Sequence, residues 1–129
     1  MAIATGSTTL NSYFFGSAVQ SAGATGGLIN NIAIGPNAMQ YATSGTDNFA
    51  VGNSALSGLS GNGNTGSSNT AIGSLALSRN ISGSYNNALG TTALFFNTSG
   101  SYSNAFGTQA LWLNSSGSYN NSLGYDSLH

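Results

Sequence analysis

Charge is almost missing from this sequence. It contains no lysine, glutamate or cysteine; its charged residues are Arg79, Asp47 and Asp126, and its single histidine is the last residue, His129. One basic residue cannot make the stripe that meets a phosphate backbone, and a net charge of −1 steers nothing toward anionic membranes. Nucleic acid is therefore not an expected partner. Without cysteine no disulfide or thiolate metal site can form, and cysteine usage says nothing of the redox compartment. General acid–base catalysis needs titratable groups that converge. Two aspartates far apart in the chain and a terminal histidine do not supply them, and a serine nucleophile would have no base beside it. The aspartate ligands of a calcium-binding roll are missing too. The expectation is a protein that is not an enzyme and uses no cofactor or metal.

Long hydrophobic runs are also lacking. The longest, ALFF (93–96) and ALWL (110–113), are far too short to cross a bilayer, so no membrane insertion is expected. The opening stretch, MAIATGSTTLNSYFF, has neither a basic residue nor a long apolar core, so it does not read as a secretory signal. Low charge has a second consequence: nothing opposes self-association.

What is present is a repeat. NTAIGSLALSRNISGSY (69–85), NNALGTTALFFNTSGSY (86–102), SNAFGTQALWLNSSGSY (103–119) and the unfinished NNSLGYDSLH (120–129) align on Gly73, Gly90, Gly107 and Gly124, each 17 residues apart. Toward the N-terminus the pattern continues around Gly52, Gly35 and, degraded, Gly16, with intervals of 21, 17 and 19. A fixed short period signifies one small unit stacked on copies of itself. The 19 glycines and the Asn/Ser/Thr content are periodic and nearly uncharged, which argues against disorder.

Each unit places a large apolar residue before its glycine (Phe15, Ile34, Val51, Ile72, Leu89, Phe106, Leu123), usually with alanine before that. From the second copy on, another large apolar residue stands four after the glycine (Met39, Leu56, Leu77, Leu94, Leu111, Leu128). Glycine frequency and segments this short exclude helix. The pattern predicts two short extended segments per unit, joined at a glycine corner and followed by a polar Ser-Gly return. The fold class is all-β: a parallel β-roll or β-solenoid of about seven 17-residue rungs at residues 12–129, after an N-terminal arm at 1–11, with an insertion loop about 57–68. At about 4.8 Å per rung this is a rod of roughly 30 Å. Neighbouring strand residues face opposite ways, so both faces are apolar. One face fills the coil; the other needs a second surface, and the alanines suit close approach between copies of the roll. A thin coil of this kind is marginal alone, which makes an obligate homo-oligomer about an axis along the coil the expectation.

Tyr85, Tyr102 and Tyr119 recur at 17 and should stack in a ladder. Such a ladder is structural in the first place, but aromatic faces beside Asn and Ser also suit an uncharged glycan. Trp112 and the pair Phe95 and Phe96 stand where other rungs carry Gln40, Ser57, Ser78 and Arg79, which marks a variable position that faces outward or lines a groove: Trp112 is a second candidate binding residue, or equally a residue packed into the oligomer seam. Asn31, Asn48, Asn69, Asn86 and Asn120, with Ser103 substituting, should form a side-chain amide ladder. The N-x-[ST] sequons at Asn80, Asn97, Asn114 and Asn120 are explained by the repeat, and GNGNTG (61–66) by a surface loop, since no strand–helix context for a nucleotide surrounds it.

NNIAIG (30–35), NTAIG (69–73) and NNALG (86–90), each followed by AL or AM, resemble the head repeats of trimeric autotransporter adhesins and, more closely, the longer NTAIG-type repeats of bacteriophage and other viral tail fibres. The resemblance covers about residues 12–128 and implies a left-handed β-roll, three chains about one axis and a host- or surface-binding fibre. A 17-residue unit and the lack of a signal peptide, coiled-coil stalk and anchor depart from the adhesins and favour an extracellular virion appendage over a secreted adhesin. The partners implied are sister chains and a host-surface glycan or receptor. Two alternatives remain: a self-assembling structural filament without a receptor, and an ice-binding solenoid, disfavoured because no regular Thr-x-Thr array is present.

Overall fold

The computed structural model describes residues 9–17 and 27–128. Among these described residues are nine short strands: β1 (Thr9–Leu10), β2 (Tyr13–Phe15), β3 (Leu28–Ile29), β4 (Ile32–Ile34), β5 (Phe49–Val51), β6 (Thr70–Ile72), β7 (Asn87–Leu89), β8 (Asn104–Phe106) and β9 (Asn121–Leu123). Seven of them form one parallel sheet in the order β2-β4-β5-β6-β7-β8-β9, and β1 pairs with β3 beside it. Chain order equals sheet order, so the protein is an all-β parallel solenoid with seven strand levels. The first eight residues of the expected arm, and His129, lie outside the described residues.

Register follows the repeat. Ala33, Ala50, Ala71, Ala88, Ala105 and Ser122 stack directly upon one another, as do Ile34, Val51, Ile72, Leu89, Phe106 and Leu123. The glycine corner tolerates no side chain. Gly73 has φ 135°, and a Cβ there would lie 2.5 Å from the carbonyl oxygen of Gly90 in the next rung.

Two expectations about the rung are corrected. The alanines do not face a neighbouring copy: Ala33, Ala50, Ala71, Ala88 and Ala105 are fully buried inside the coil, while the large residues beside them point out. The segment after the glycine is also not a strand. It is a run of overlapping turns, seen at one level as Ala76 N–H to Gly73 O (3.3 Å), Ser78 N–H to Leu75 O (3.3 Å) and Asn80 N–H to Leu77 O (3.1 Å). In the first two turns the third residue has positive φ, as a type II turn requires: Leu75 (60°) and Leu77 (50°) here, Thr92 (56°) and Leu94 (52°) one rung on.

This backbone explains the Ala-Leu pair. In a strand, adjacent residues would diverge; with the leucine left-handed, Ala76 and Leu77 both point inward, as do Ala93 and Leu94. A left-handed L-residue costs about 1–2 kcal/mol, and burying a leucine contributes roughly 1.5–3 kcal/mol. Burial prevails, aided by inter-rung bonds such as Leu77 N–H to Ala93 O and Leu94 N–H to Ala110 O, both 3.0 Å. Leucines entering from the turn side occupy the coil and leave methyl-sized room opposite, which the strand fills with alanine.

The interior corners are polar and, apart from the Asn64 Nδ2, satisfied among the described residues. Asn31, Asn48, Asn69 and Asn86 are buried, and each clamps the next rung's backbone: the Asn69 Oδ1 accepts from Asn86 N–H (3.0 Å) while its Nδ2 donates to Gly83 O (2.9 Å). The expected amide-to-amide ladder appears in this column at one step, Asn69 Nδ2 to Asn48 Oδ1 (3.2 Å); the other bonds run side chain to main chain, because the next rung's backbone is the nearer partner. A true amide ladder runs elsewhere, through Asn64, Asn80, Asn97 and Asn114. There the Asn97 Nδ2 donates to Asn80 Oδ1 (3.0 Å) and the Asn114 Nδ2 to Asn97 Oδ1 (3.3 Å). Three of these four are sequon asparagines, and Asn80 and Asn97 are fully buried. The insertion in the third rung is narrower than 57–68: Ser57 O still accepts from Tyr41 N–H, and Asn64 already pairs with Ala42. The excursion lies between them, with a turn closed by Asn62 N–H to Leu59 O (3.1 Å).

Candidate functional site

The outer surface carries three separate features, each set by one position of the repeat. The first is the outward side of the sheet. Phe15, Ile34, Val51, Ile72, Leu89, Phe106 and Leu123 form an apolar column along its whole length, ranging from half-buried to 83% exposed at Leu123. Two residues earlier stand Tyr13, Ile32, Phe49, Thr70, Asn87, Asn104 and Asn121 in a parallel column, apolar in its first half. In its second half it is another amide ladder, Asn87 Nδ2 to Asn104 Oδ1 and Asn104 Nδ2 to Asn121 Oδ1, both 2.8 Å. An open depression between the two columns at the last levels is lined by Asn104, Phe106, Asn121, Ser122 and Leu123.

The second feature is the tyrosine ladder. Tyr85 and Tyr102 stack at 4.9 Å with 5° between ring planes, and Tyr102 and Tyr119 at 5.1 Å with 3°. The ladder is exposed, most of all at Tyr119. Each tyrosine occupies a corner with φ near 60°, which the earlier rungs fill with Asn11, Asn30, Asp47 and Ser68. Asparagine and aspartate tolerate that conformation best, so their presence in the first copies is the available signal that this column is a left-handed corner. Asn30 Nδ2 donates to Asp47 Oδ1 (3.0 Å), continuing the column as a polar pair.

The third feature gathers Trp112 with residues that the sequence groups only as variable. Phe96 meets Trp112 edge to face at 5.0 Å and Phe95 at 4.7 Å; Phe95 and Trp112 lie near-parallel at 6.4 Å. The Arg79 guanidinium covers both phenylalanines, 4.6 Å from the Phe96 centroid and 5.1 Å from that of Phe95. The period carries a trace of the cluster, because Arg79 and Phe96, like Phe95 and Trp112, stand 17 residues apart in adjacent columns. Arg79 is the member that sequence reasoning misses as part of a site. The tyrosine ladder and the Trp112 cluster are thus separate: no ring contact joins them among the described residues.

Among the described residues no three His, Cys, Asp or Glu side chains lie close enough to hold a metal ion, and no helix is long and apolar enough to cross a membrane. The molecule is a β-solenoid repeat protein with exposed apolar and aromatic columns. No protein-family model matches the chain, and neither does any curated protein or solved structure.

Proposed function

We propose that this chain is a structural segment of a homotrimeric fibre, carried on a virion such as a phage tail or on another extracellular appendage, and that it attaches to glycan on a host surface without catalysing a reaction. The observation that carries this is the outward apolar column from Phe15 to Leu123 on a sheet whose interior is already filled. A contiguous apolar strip of this length is rare on a lone soluble molecule and marks an interface. Sister rods laid side by side, column to column about a common axis, cover it. Three copies is the number that the resemblance of the NTAIG-type repeats implies. The tyrosine ladder, uncharged and flat, is the surface offered to sugar rings, with hydrogen-bonding serine and asparagine beside it.

Native mass spectrometry and sedimentation test the assembly. Three copies are expected for the wild type, and Leu89→Glu with Phe106→Glu should yield single chains; a wild-type monomer would sink the proposal. Loss of neutral-glycan binding on Tyr102→Ala, with the trimer intact, is expected for the attachment role.

Low charge favours a second role, an end-to-end filament without a receptor, because almost no like-charge repulsion opposes self-association. Long uniform filaments from purified protein under the electron microscope would favour this alternative, discrete short rods the first.

A further inference from the structure

We infer that Arg79, Phe95, Phe96 and Trp112 form a binding site for a carboxylated saccharide, distinct from the tyrosine ladder. This inference deepens the glycan-attachment role proposed above and rests on it.

Arg79 is the only cation among the side chains of the whole sequence, apart from what His129 carries when protonated. Its contacts with other described residues are the two ring faces of Phe95 and Phe96; no carboxylate or carbonyl among them accepts a hydrogen bond from it. Held over two mutually perpendicular rings, the guanidinium keeps its N–H fork free of acceptors among the described residues. A planar fork of this kind matches a carboxylate two bonds at a time. Beside it, half-buried Phe95, Phe96 and Trp112 present aromatic surface at adjacent levels, which suits the C–H face of a pyranose ring. An acid group next to a sugar ring is what the arrangement fits as a unit.

The polarity of the surroundings favours a saccharide over an acidic peptide. One cation answers one carboxylate, whereas an acidic segment would place several in a surface with no second positive side chain. The remaining outer surface is rich in Ser, Thr and Asn, which bond hydroxyls without charge. The site also breaks the repeat. The two columns carry Gln40 and Tyr41, Ser57 and Gly58, Ser78 and Arg79, and bring three rings together at adjacent levels only at Phe95, Phe96 and Trp112. These rings contribute nothing to the core, which is complete without them.

The test uses the intact assembly and titration calorimetry with five probes: a hyaluronan tetrasaccharide (uronic acid), sialyllactose (sialic acid), chitotetraose and lactose as neutral counterparts, and a hexaglutamate peptide. At least one acidic probe is expected to bind, and its affinity to fall about ten- to a hundredfold in Arg79→Gln, the loss of a charge-assisted pair. Arg79→Lys, which keeps the charge but not the fork, should recover only part of it, and Trp112→Ala should weaken the same probe. Which acidic probe binds tells uronic from sialic acid. Neutral probes binding as well as acidic ones, with no effect of Arg79→Gln, would overturn the inference and leave glycan attachment standing. A hexaglutamate peptide bound as tightly as the acidic sugars would overturn it in favour of a peptide partner. No probe bound at all would overturn both. Arg79 is exposed, so an unchanged unfolding midpoint for Arg79→Gln is expected to show that the variant is folded.

Discussion

Ala42 lies in parallel register with Asn64, so the buried amide column ends against a methyl group. The Asn64 Nδ2 is buried without a partner among the described residues, although Asn80, Asn97 and Asn114 below it each donate both to the preceding amide and to a glycine carbonyl three residues on. Ala42 has its glycine at the same spacing, Gly45, and that carbonyl already accepts from Asn31 just as Gly83 accepts from Asn69. Ala42→Asn should therefore extend the ladder by one level and give Asn64 its acceptor. A gain of about 1 kcal/mol is expected, the typical net worth of a buried hydrogen bond. Denaturant unfolding at equilibrium measures it, and a lower midpoint would show that the site has no room for the amide.

In mid-column, Asn97 donates to Asn80 and to Gly100 and accepts from Asn114. Asn97→Ala removes all three bonds in a fully buried position and leaves the Asn80 Oδ1 unpartnered. A loss of about 2–4 kcal/mol is expected. Asn114, half-buried at the lower end where water can take over, should lose only about 1 kcal/mol on the same substitution. Equal losses at the two positions would show that burial does not set the strength of the ladder.

Glycine positions divide by what stands above them. At Gly73 an added Cβ meets the Gly90 backbone, which cannot move without breaking the stack, so Gly73→Ala should cost more than about 3 kcal/mol. Gly61 also has positive φ, at 88°, but nothing lies within 4 Å of the added atom. Gly61→Ala meets only backbone strain, about 1 kcal/mol. Thermal unfolding of the two variants side by side separates close approach from strain.

Thr92 is a β-branched residue at φ 56°, the conformation such side chains tolerate least. Its counterpart in the second rung, at φ 58°, is Asn37. Thr92→Asn gives up one exposed bond to Thr91 O (2.7 Å) and relieves the backbone. A gain of about 0.5–1 kcal/mol is expected, read from the shift in unfolding midpoint.

Several surface features are legible in the repeat period. The 17-residue interval alone places Tyr85 over Tyr102 and Tyr119, and Ile72 over Leu89, Phe106 and Leu123. Arg79 does not stand out in the sequence as a site residue, because its partners lie one rung away, Phe96 in its own column and Phe95 in the adjacent one. Only side-chain packing brings its guanidinium over both rings. The period points to the wrong asparagines for the amide ladder for a related reason. Asn69 and Asn97 are both periodic, and their periodicity does not say whether the nearest acceptor is the next amide or the next backbone.

The sequence by itself determined the period, the parallel in-register stacking and the places where no side chain fits, because a repeated unit of constant length can pair its backbone with itself in only one register. Tertiary structure decided which residues are inside. Alternation in a strand is symmetric between its two faces, so nothing local says whether Ala71 or Ile72 turns inward. The leucines and methionine of the left-handed turns settle it from β4 on: they fill the coil from the far side, the space left opposite admits only alanine or serine, and the larger residue of the strand is pushed to the surface, whereas β2 buries Phe14.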